Sequence, residues 1–265
     1  MNHAKIKSTL LKALEASGKV LKAQILQRRI VEKKSELSIV TATDKKSEKI
    51  IVDLIRKNFP SHAILTEESP PMGKSTSRWI IDPLDGTSNF AHTYPVACIS
   101  VAYEESGELV MGGVYDPFRN ELFFAERGKG AFMNRKKIHV SRTPWLSDSL
   151  LATGFPYDRR ERMEEYITLF RSFLLKVLDL RRAGAAALDL SYVACGRFDG
   201  YWECNLQPWD KAAGMLLVQE AGGKISNFKG KPLSVDDYQN VASNGFVHQE
   251  MLRILKSFEN LSPAR

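Results

Sequence analysis

The sequence predicts a two-part protein, α+β over residues 1–145 and α/β over residues 146–265, and three observations carry that reading. From Val96 to Met133, short β-rich runs are parted by Ser-Gly, Asp-Pro, Arg-Asn and Gly-Lys-Gly turns, the pattern of an antiparallel meander. Helical segments precede that meander, their apolar residues recurring at helical spacing among charged ones. Near Thr143-Pro144 the composition changes, and from there strand-like and helix-like runs alternate. With 265 residues, 43% of them hydrophobic, the chain can bury a sizeable core.

Lys5 to about Arg29 places Ile6, Leu10, Leu14 and Leu21 at mainly helical spacing and reads as a packing helix. VEKKSELSIVTATD then has the Ser and Thr density of a loop. Thr41 or Thr43 can cap a second helix that runs through Ile50, Ile51, Leu54 and Ile55 to Asn58, before Pro60 stops it. Asp44 falls in the first turn of that helix, where an acid complements the macrodipole. Ala63, Ile64 and Leu65 form a short strand ending at Glu67 and Glu68, and Trp79, Ile80 and Ile81 form a buried one that stops at Asp82. Asp82-Pro-Leu-Asp85-Gly-Thr reads as a loop turning into a helix whose first free N–H groups follow Gly86. If the two acid-ended strands are neighbours, Glu67 or Glu68 converges with Asp82 and Asp85. Carboxylates gathered in one buried place repel one another, and a bound cation relieves that cost.

The meander is expected over Val96–Tyr103, Leu109–Tyr115, Glu121–Glu126 and Ala131–Met133, with Gly112-Gly113 marking a bulge or close packing, since no helix signal follows to make a phosphate loop. Beyond it, SLLATGFP, a charged helix from about Arg160 to Val177, and an Ala-rich helix over Gly184–Gly196 lead to the strand FDGYWE, which Glu203 terminates. Pro208 and Trp209 precede Asp210 at the start of a helix that Gly222-Gly223 ends, and taken alone Asp210 reads as an N-cap. A strand and a terminal helix complete the chain.

The net charge of +7 would suit nucleic acid or another acidic partner. The basic residues, however, are spread as singles or pairs, Lys33-Lys34, Lys45-Lys46, Arg159-Arg160 and Arg181-Arg182 among them, on faces expected to be solvated, with no recognition motif around them. Such a surface can also steer an anionic substrate toward an acidic site. Cys98, Cys195 and Cys204 are odd in number and lack CxxC spacing, so they read as reduced packing thiols. No run approaches the roughly 18 apolar residues that span a bilayer, charges interrupt the N-terminal segment, and a cytosolic location is expected.

Three motifs, standing in one order, resemble the inositol monophosphatase family, part of a superfamily of metal-dependent, lithium-sensitive sugar and nucleotide phosphatases. They are Ile64-Leu-Thr-Glu-Glu-Ser69, Trp79-Ile-Ile-Asp-Pro-Leu-Asp-Gly-Thr-Ser-Asn-Phe90, and Trp209-Asp-Lys-Ala-Ala-Gly214 with Glu220-Ala-Gly-Gly223. The resemblance extends over essentially the whole chain, and DPLDGTSNF is its most specific block. It implies a layered αβαβα sandwich of the inositol monophosphatase and fructose-1,6-bisphosphatase type, with the site between the two parts, and a homodimer.

Carried over by position, the resemblance implies that Glu67, Asp82 and the Leu84 carbonyl hold one Mg²⁺, while Asp82, Asp85 and Asp210 hold a second. A third, weaker ion near Glu67 would be held largely by water. Hard oxygen donors without His or Cys suit Mg²⁺ and not zinc. The phosphate would rest on the metals and on the N–H groups of Gly86 and Thr87. A metal-activated water would attack phosphorus, its proton accepted through Glu67 or Thr87 with Asp44 behind. Substrate hydroxyls would meet Asp85, Glu203 and the backbone at Gly184, Ala185 and Ala186. The implied reaction is hydrolysis of myo-inositol monophosphate or a similar polyol phosphate, the alternative being a phosphomonoester of the fructose-1,6-bisphosphate, NADP or nucleotide type. An acid at Glu203 favours a neutral polyol. Bacterial relatives can also associate with the RNA-synthesis machinery, which would add a binding role.

Overall fold

The computed structural model describes residues 2–27, 31–33, 39–156 and 158–260. Helix α1 (His3–Gln24) starts where the Asn2 side chain accepts from the Lys5 N–H at 3.1 Å, and it buries Ile6, Leu10, Leu14 and Leu21. The helix ends at Gln24, short of the end expected near Arg29, and residues 25–27 are already turn and bend. Where the sequence suggests only a loop, strands β1 (Val31–Lys33) and β2 (Ile39–Thr41) pair antiparallel, and residues 34–38 between them lie outside the described residues. Helix α2 (Ala42–Asn58) is capped by Thr41, whose hydroxyl accepts from the Thr43 N–H at 3.2 Å. Asp44 Oδ2 answers by accepting from the Thr41 N–H at 2.8 Å, a reciprocal capping box.

The meander forms as predicted and gains strands at both edges. Strands β3 (Ala63–Thr66), β4 (Ser77–Asp85), β5 (Cys98–Glu105), β6 (Glu108–Asp116), β7 (Glu121–Glu126), β8 (Gly130–Met133) and β9 (Lys136–Ile138) lie in chain order in one sheet, antiparallel except for the parallel pair β3/β4. Helix α3 (Thr87–Ala91) leaves β4 directly. The loop expected at Asp82–Asp85 is instead strand: Asp82 faces Ser100 and Asp85 faces Cys98 on β5, with a register shift between them. That irregularity accommodates Pro83, which has no N–H for a regular ladder.

The second half alternates as expected: β10 (Leu150–Thr153), α4 (Met163–Leu174), β11 (Asp179–Arg181), α5 (Ala186–Ala194), β12 (Gly200–Cys204), α6 (Pro208–Glu220), β13 (Lys224–Ser226), β14 (Gln239–Ser243) and α7 (His248–Leu255). Its sheet runs β11-β10-β12-β14-β13, parallel across the first three strands. Helix α4 is shorter than the Arg160–Val177 span expected from its charges.

Period-two alternation assigns each sheet face its partner. Trp79, Ile81, Val101 and Tyr103 face α1 and α2, while Ile80 and Ala102 face the other way, toward α5 and α6. From the second sheet, Tyr201 joins that same middle layer and Trp202 points outward to stack on Phe173 of α4, ring centroids 3.8 Å apart. The result is the αβαβα layering. No described helix is long and apolar enough to cross a membrane.

Gly112-Gly113 is a close-packing device. A Cβ on Gly112 would lie 2.9 Å from Ala213 Cα of α6, and one on Gly113 would lie 2.7 Å from the Leu10 and Leu14 methyls of α1. Adjacent residues thus let helices approach both faces of β6. Gly112→Val, which drives methyls into the α6 backbone, is expected to cost about 3 kcal/mol of stability, read as a lower denaturant midpoint with an unchanged m-value.

Candidate active site

A cavity of about 290 Å³ opens between the two sheets, and the acids from the sequence motifs form one wall of it. Parallel pairing of β3 with β4 sets Thr66 beside Ile81, so Glu67, just past the end of β3, comes beside Asp82, which continues along β4. Glu67 lines the cavity. Its neighbour Glu68 does not; its N–H donates to Glu48 Oε2 at 3.0 Å.

Helix α2 holds both acidic segments from behind. Glu48 accepts from Thr66 Oγ1 at 2.6 Å, from the Glu68 N–H and from the Ser69 hydroxyl, which fixes the turn carrying Glu67. Ser47 donates to the Pro83 carbonyl at 2.7 Å and so anchors the segment between Asp82 and Asp85. Sequence reasoning missed both residues, because a Glu and a Ser in a charged helix look like any solvated pair.

Asp210 arrives from the other half of the chain. It is the third residue of α6 and not the N-cap: its Oδ2 accepts from the Gln207 N–H at 2.7 Å, and Gln207 occupies the cap position. Packing of α6 on β5, where Ser100 Oγ donates to the Trp209 carbonyl at 3.3 Å, brings it to the β4 acids. Asp85 Oδ2 accepts from the Ala187 N–H of α5 at 2.8 Å, a second tie between the halves.

The electrostatics record the crowding. Burial, then the charges of Glu67, Asp85 and Asp210, push the Asp82 carboxyl well above its ordinary value. Burial and Asp85 do the same to Asp210, and burial raises Asp85 to about 7 despite the Ala187 and Cys98 donors. Among the described residues no three His, Cys, Asp or Glu side chains form a ready-made metal cage. Asp82, Asp85 and Asp210 instead turn oxygens onto the N–H groups of Leu84, Ala187 and Gln207. The donor set still fits Mg²⁺: clustered carboxylates and one strand-end carbonyl, all hard oxygens, with mutual repulsion for a cation to relieve. Cys98 offers no thiolate, since burial and Asp85 push its thiol far up.

Beside these acids, Gly86 turns the chain from β4 into α3 at φ +88°, and a Cβ there would lie 2.7 Å from the Val96 carbonyl oxygen. The first bond of α3 runs from the Phe90 N–H to the Gly86 carbonyl, leaving the amides before it free to point at an anion. Thr87 Oγ1 lies 2.9 Å from Asp44 Oδ1 and 3.0 Å from the Leu84 carbonyl. Asp44 is fully buried, and burial raises its carboxyl.

The opposite wall is built from the carboxyl ends of the parallel strands, where α/β sheets gather ligands. Glu203, the penultimate residue of β12, takes the Tyr201 hydroxyl on Oε2; a Cβ at Gly154 would lie 2.0 Å from that oxygen, so only glycine admits the carboxyl. Burial lifts Glu203 to about 7. Gly184, Ala185 and Ala186 line the cavity as expected, tied to α3 by Asn89 Nδ2, which donates to the Ala183 carbonyl at 2.8 Å. One expectation fails: Arg159 and Arg182, read as residues of solvated faces, line this wall, because their segments follow β10 and β11.

The inositol monophosphatase family model matches residues 2–261. The chain is 43% identical over 244 residues to an inositol-1-monophosphatase of a Synechocystis species, covering 90% of this chain and 85% of the relative. It is 43% identical over 223 residues to the Nus factor SuhB of Xylella fastidiosa, covering 83% and 81%. An inositol monophosphatase structure from Anabaena superposes with a TM-score of 0.88 at 41% identity, covering 97% of both chains. A second structure, an IMPase/NADP phosphatase complexed with Mg²⁺ and phosphate, superposes with a TM-score of 0.83 at 25% identity, covering 96% of both.

The raised carboxyls give the metal-free protein a characteristic pH dependence. Folded values above the unfolded value of 3.8 mean that the folded state holds the extra protons. This contribution is therefore fully present below 3.8 and is lost as pH rises, through about 7 for Asp85. In chelator, Asp82→Asn should raise the unfolding midpoint at neutral pH and have less effect at pH 5, as checked by thermal melts; excess Mg²⁺ should reverse the sign by favouring the intact acid set.

Proposed function

The chain belongs to the inositol monophosphatase family and is a phosphatase, and from that premise we propose that it hydrolyses myo-inositol monophosphate or a similar polyol phosphate. The observation that carries the proposal is the convergence of Glu67, Asp82, Asp85 and Asp210 beside the free amides at the start of α3. The alternative substrates are phosphomonoesters of the fructose-1,6-bisphosphate, NADP or nucleotide type.

The family is metal-dependent, and the Mg²⁺ and phosphate in the 25%-identical neighbour support the same cation here. Glu67, Asp82 and the Leu84 carbonyl, which line the cavity, would hold one ion and Asp82, Asp85 and Asp210 a second, and a weaker third near Glu67 would be held largely by water. When bound, Mg²⁺ supplies charge neutralisation for the phosphoryl group, acidifies a water molecule and stabilises the leaving alkoxide. The chain's own residues do the rest. The Gly86 and Thr87 N–H groups orient the phosphate oxygens. Thr87 Oγ1 accepts the proton of the attacking water as it passes its own to Asp44 Oδ1, an acceptor whose burial favours the protonated form. Glu67 is the other acceptor at that end of the cavity. Glu203, Asp85 and the Gly184–Ala186 backbone meet the polyol hydroxyls.

The same reading divides the chain near residue 145, with the metal and phosphate motifs in 1–145 and Asp210 and the polyol contacts in 146–265. Lithium sensitivity, a homodimer and a cytoplasmic location belong to the proposal. So does a binding role in RNA synthesis beside catalysis, which the SuhB name of the Xylella relative supports. Copurification with RNA polymerase that survives Asp82→Asn is its expected sign.

Phosphate release should depend on Mg²⁺ and should be fastest with myo-inositol 1-phosphate among a panel including fructose 1,6-bisphosphate and NADP. Asp82→Asn and Asp210→Asn should each lower kcat about a hundredfold or more while circular dichroism stays native, because each removes several kcal/mol of charge stabilisation. Near-normal turnover in either variant would refute the ligand assignment.

A further inference from the structure

The aspartates of the acid wall are each aimed by a backbone amide: Asp82 by that of Leu84, Asp85 by that of Ala187 and Asp210 by that of Gln207. Glu203, on the wall across the cavity, has no such amide. Among the described residues its carboxyl takes one hydrogen bond, from the Tyr201 hydroxyl to Oε2. A glutamate also carries its carboxyl on a longer side chain than an aspartate, with more torsions to fix. What fixes it therefore decides where its free oxygen points.

Strand geometry makes the pairing local. Tyr201 and Glu203 stand two apart on β12, so their side chains leave the same face of the sheet, toward the middle layer. Tyr201 is fully buried there, and burial together with the Glu203 and Asp189 charges keeps its hydroxyl protonated, a standing donor. Gly154 sets the limit on another side, since a Cβ there would come 2.0 Å from Oε2 and 2.2 Å from both Cδ and Oε1. The head group is thus held between a hydroxyl and a backbone without a side chain. With Oε2 committed to Tyr201, Oε1 is left to accept from a ligand in the cavity that Glu203 lines. Burial favours the neutral acid, while the Tyr201 hydrogen bond and then the Arg182 charge favour the carboxylate, the form that accepts.

We propose that Tyr201 is a positioning residue for substrate selectivity: by holding Glu203 Oε2 it aims Oε1 at a substrate hydroxyl, and so makes the enzyme favour hydroxylated phosphomonoesters over counterparts that lack the hydroxyls. The inference rests on the polyol-phosphate reading above and adds the group that gives its hydroxyl contact a direction. Tyr201 does not line the cavity, and its effect passes through Glu203. Without that hydroxyl the carboxyl would surrender rotamer freedom each time a substrate bound.

myo-Inositol 1-phosphate and cyclohexyl phosphate share a ring of one size and a phosphate and differ in the hydroxyls, so the ratio of their kcat/KM values reads hydroxyl recognition. Wild type should favour the inositol ester. Tyr201→Phe, which removes one oxygen from a buried ring, should cut that preference about tenfold, mainly through KM for the inositol ester, the scale of one hydrogen bond to a charged group. Gly154→Ala, which drives a methyl group into the same carboxyl, should cut it too, and that result does not depend on the stability of the Tyr201 variant. In a Glu203→Ala background, Tyr201→Phe should leave the ratio where Glu203→Ala has put it, because no carboxyl remains to aim. Variants that keep the wild-type preference, that lower both esters alike, or that add to the effect of Glu203→Ala overturn the positioning role. A wild type that hydrolyses both esters without preference overturns it together with the polyol reading, and one that hydrolyses neither overturns it together with the phosphatase reading.

Discussion

Repulsion among the buried carboxylates is the constraint to which the rest of this fold answers. Asp82 feels Glu67, Asp85 and Asp210 together, and burial amplifies each charge by excluding the water that would screen it. Left to themselves the side chains would spread. They are kept together by bonds made elsewhere: Glu48 on the Glu67 turn, Ser47 on the Pro83 carbonyl, and the Ala187 N–H on Asp85. The close approach of α6 to β6, which Gly112 permits, delivers Asp210 to the same place. Structure is thus spent on gathering like charges on one cavity wall, where a bound cation would relieve their repulsion.

Much of this was legible in the sequence, and what was not has definite causes. Glu67, Asp82 and Asp85 could be singled out because apolar runs ending in acids have no packing rationale, and the parallel pairing of β3 with β4 bears out their meeting. The strand character of Asp82–Asp85 was hidden, since Pro83 reads locally as a breaker and only pairing with β5 overrides it. Asp210 has no local signature beyond a helix start; it meets the β4 acids only because α6 packs on the first sheet. Glu48 gave no signal either, being identical in composition to a surface glutamate until its three donors are placed. Arg159 and Arg182 were misread for a topological reason. The order β11-β10-β12 is not written in the residues, so nothing told the two segments that they share a wall.

The capping and functional readings of Asp44 and Asp210 also cease to compete once the geometry is known. Both acids stand third in a helix, and both commit one oxygen to the amide of the cap residue, Thr41 for Asp44 and Gln207 for Asp210. The second oxygen is then aimed by the first. For Asp44 that oxygen meets Thr87 at 2.9 Å. A carboxylate free to rotate would lose rotamer entropy on binding a ligand, whereas one already fixed by its cap does not.

The same placement tempers the repulsion with which the site must contend. The N-terminus of a helix carries a partial positive charge, so Asp44 and Asp210 each sit where the backbone itself attracts an anion. Helices α2 and α6 therefore contribute both orientation and partial compensation, from opposite sides of the first sheet. The compensation is incomplete, as the raised Asp210 carboxyl records. Complete neutralisation by the protein would leave nothing for a metal ion to bind, and a site that must attract both a cation and a phosphate works only while that deficit remains.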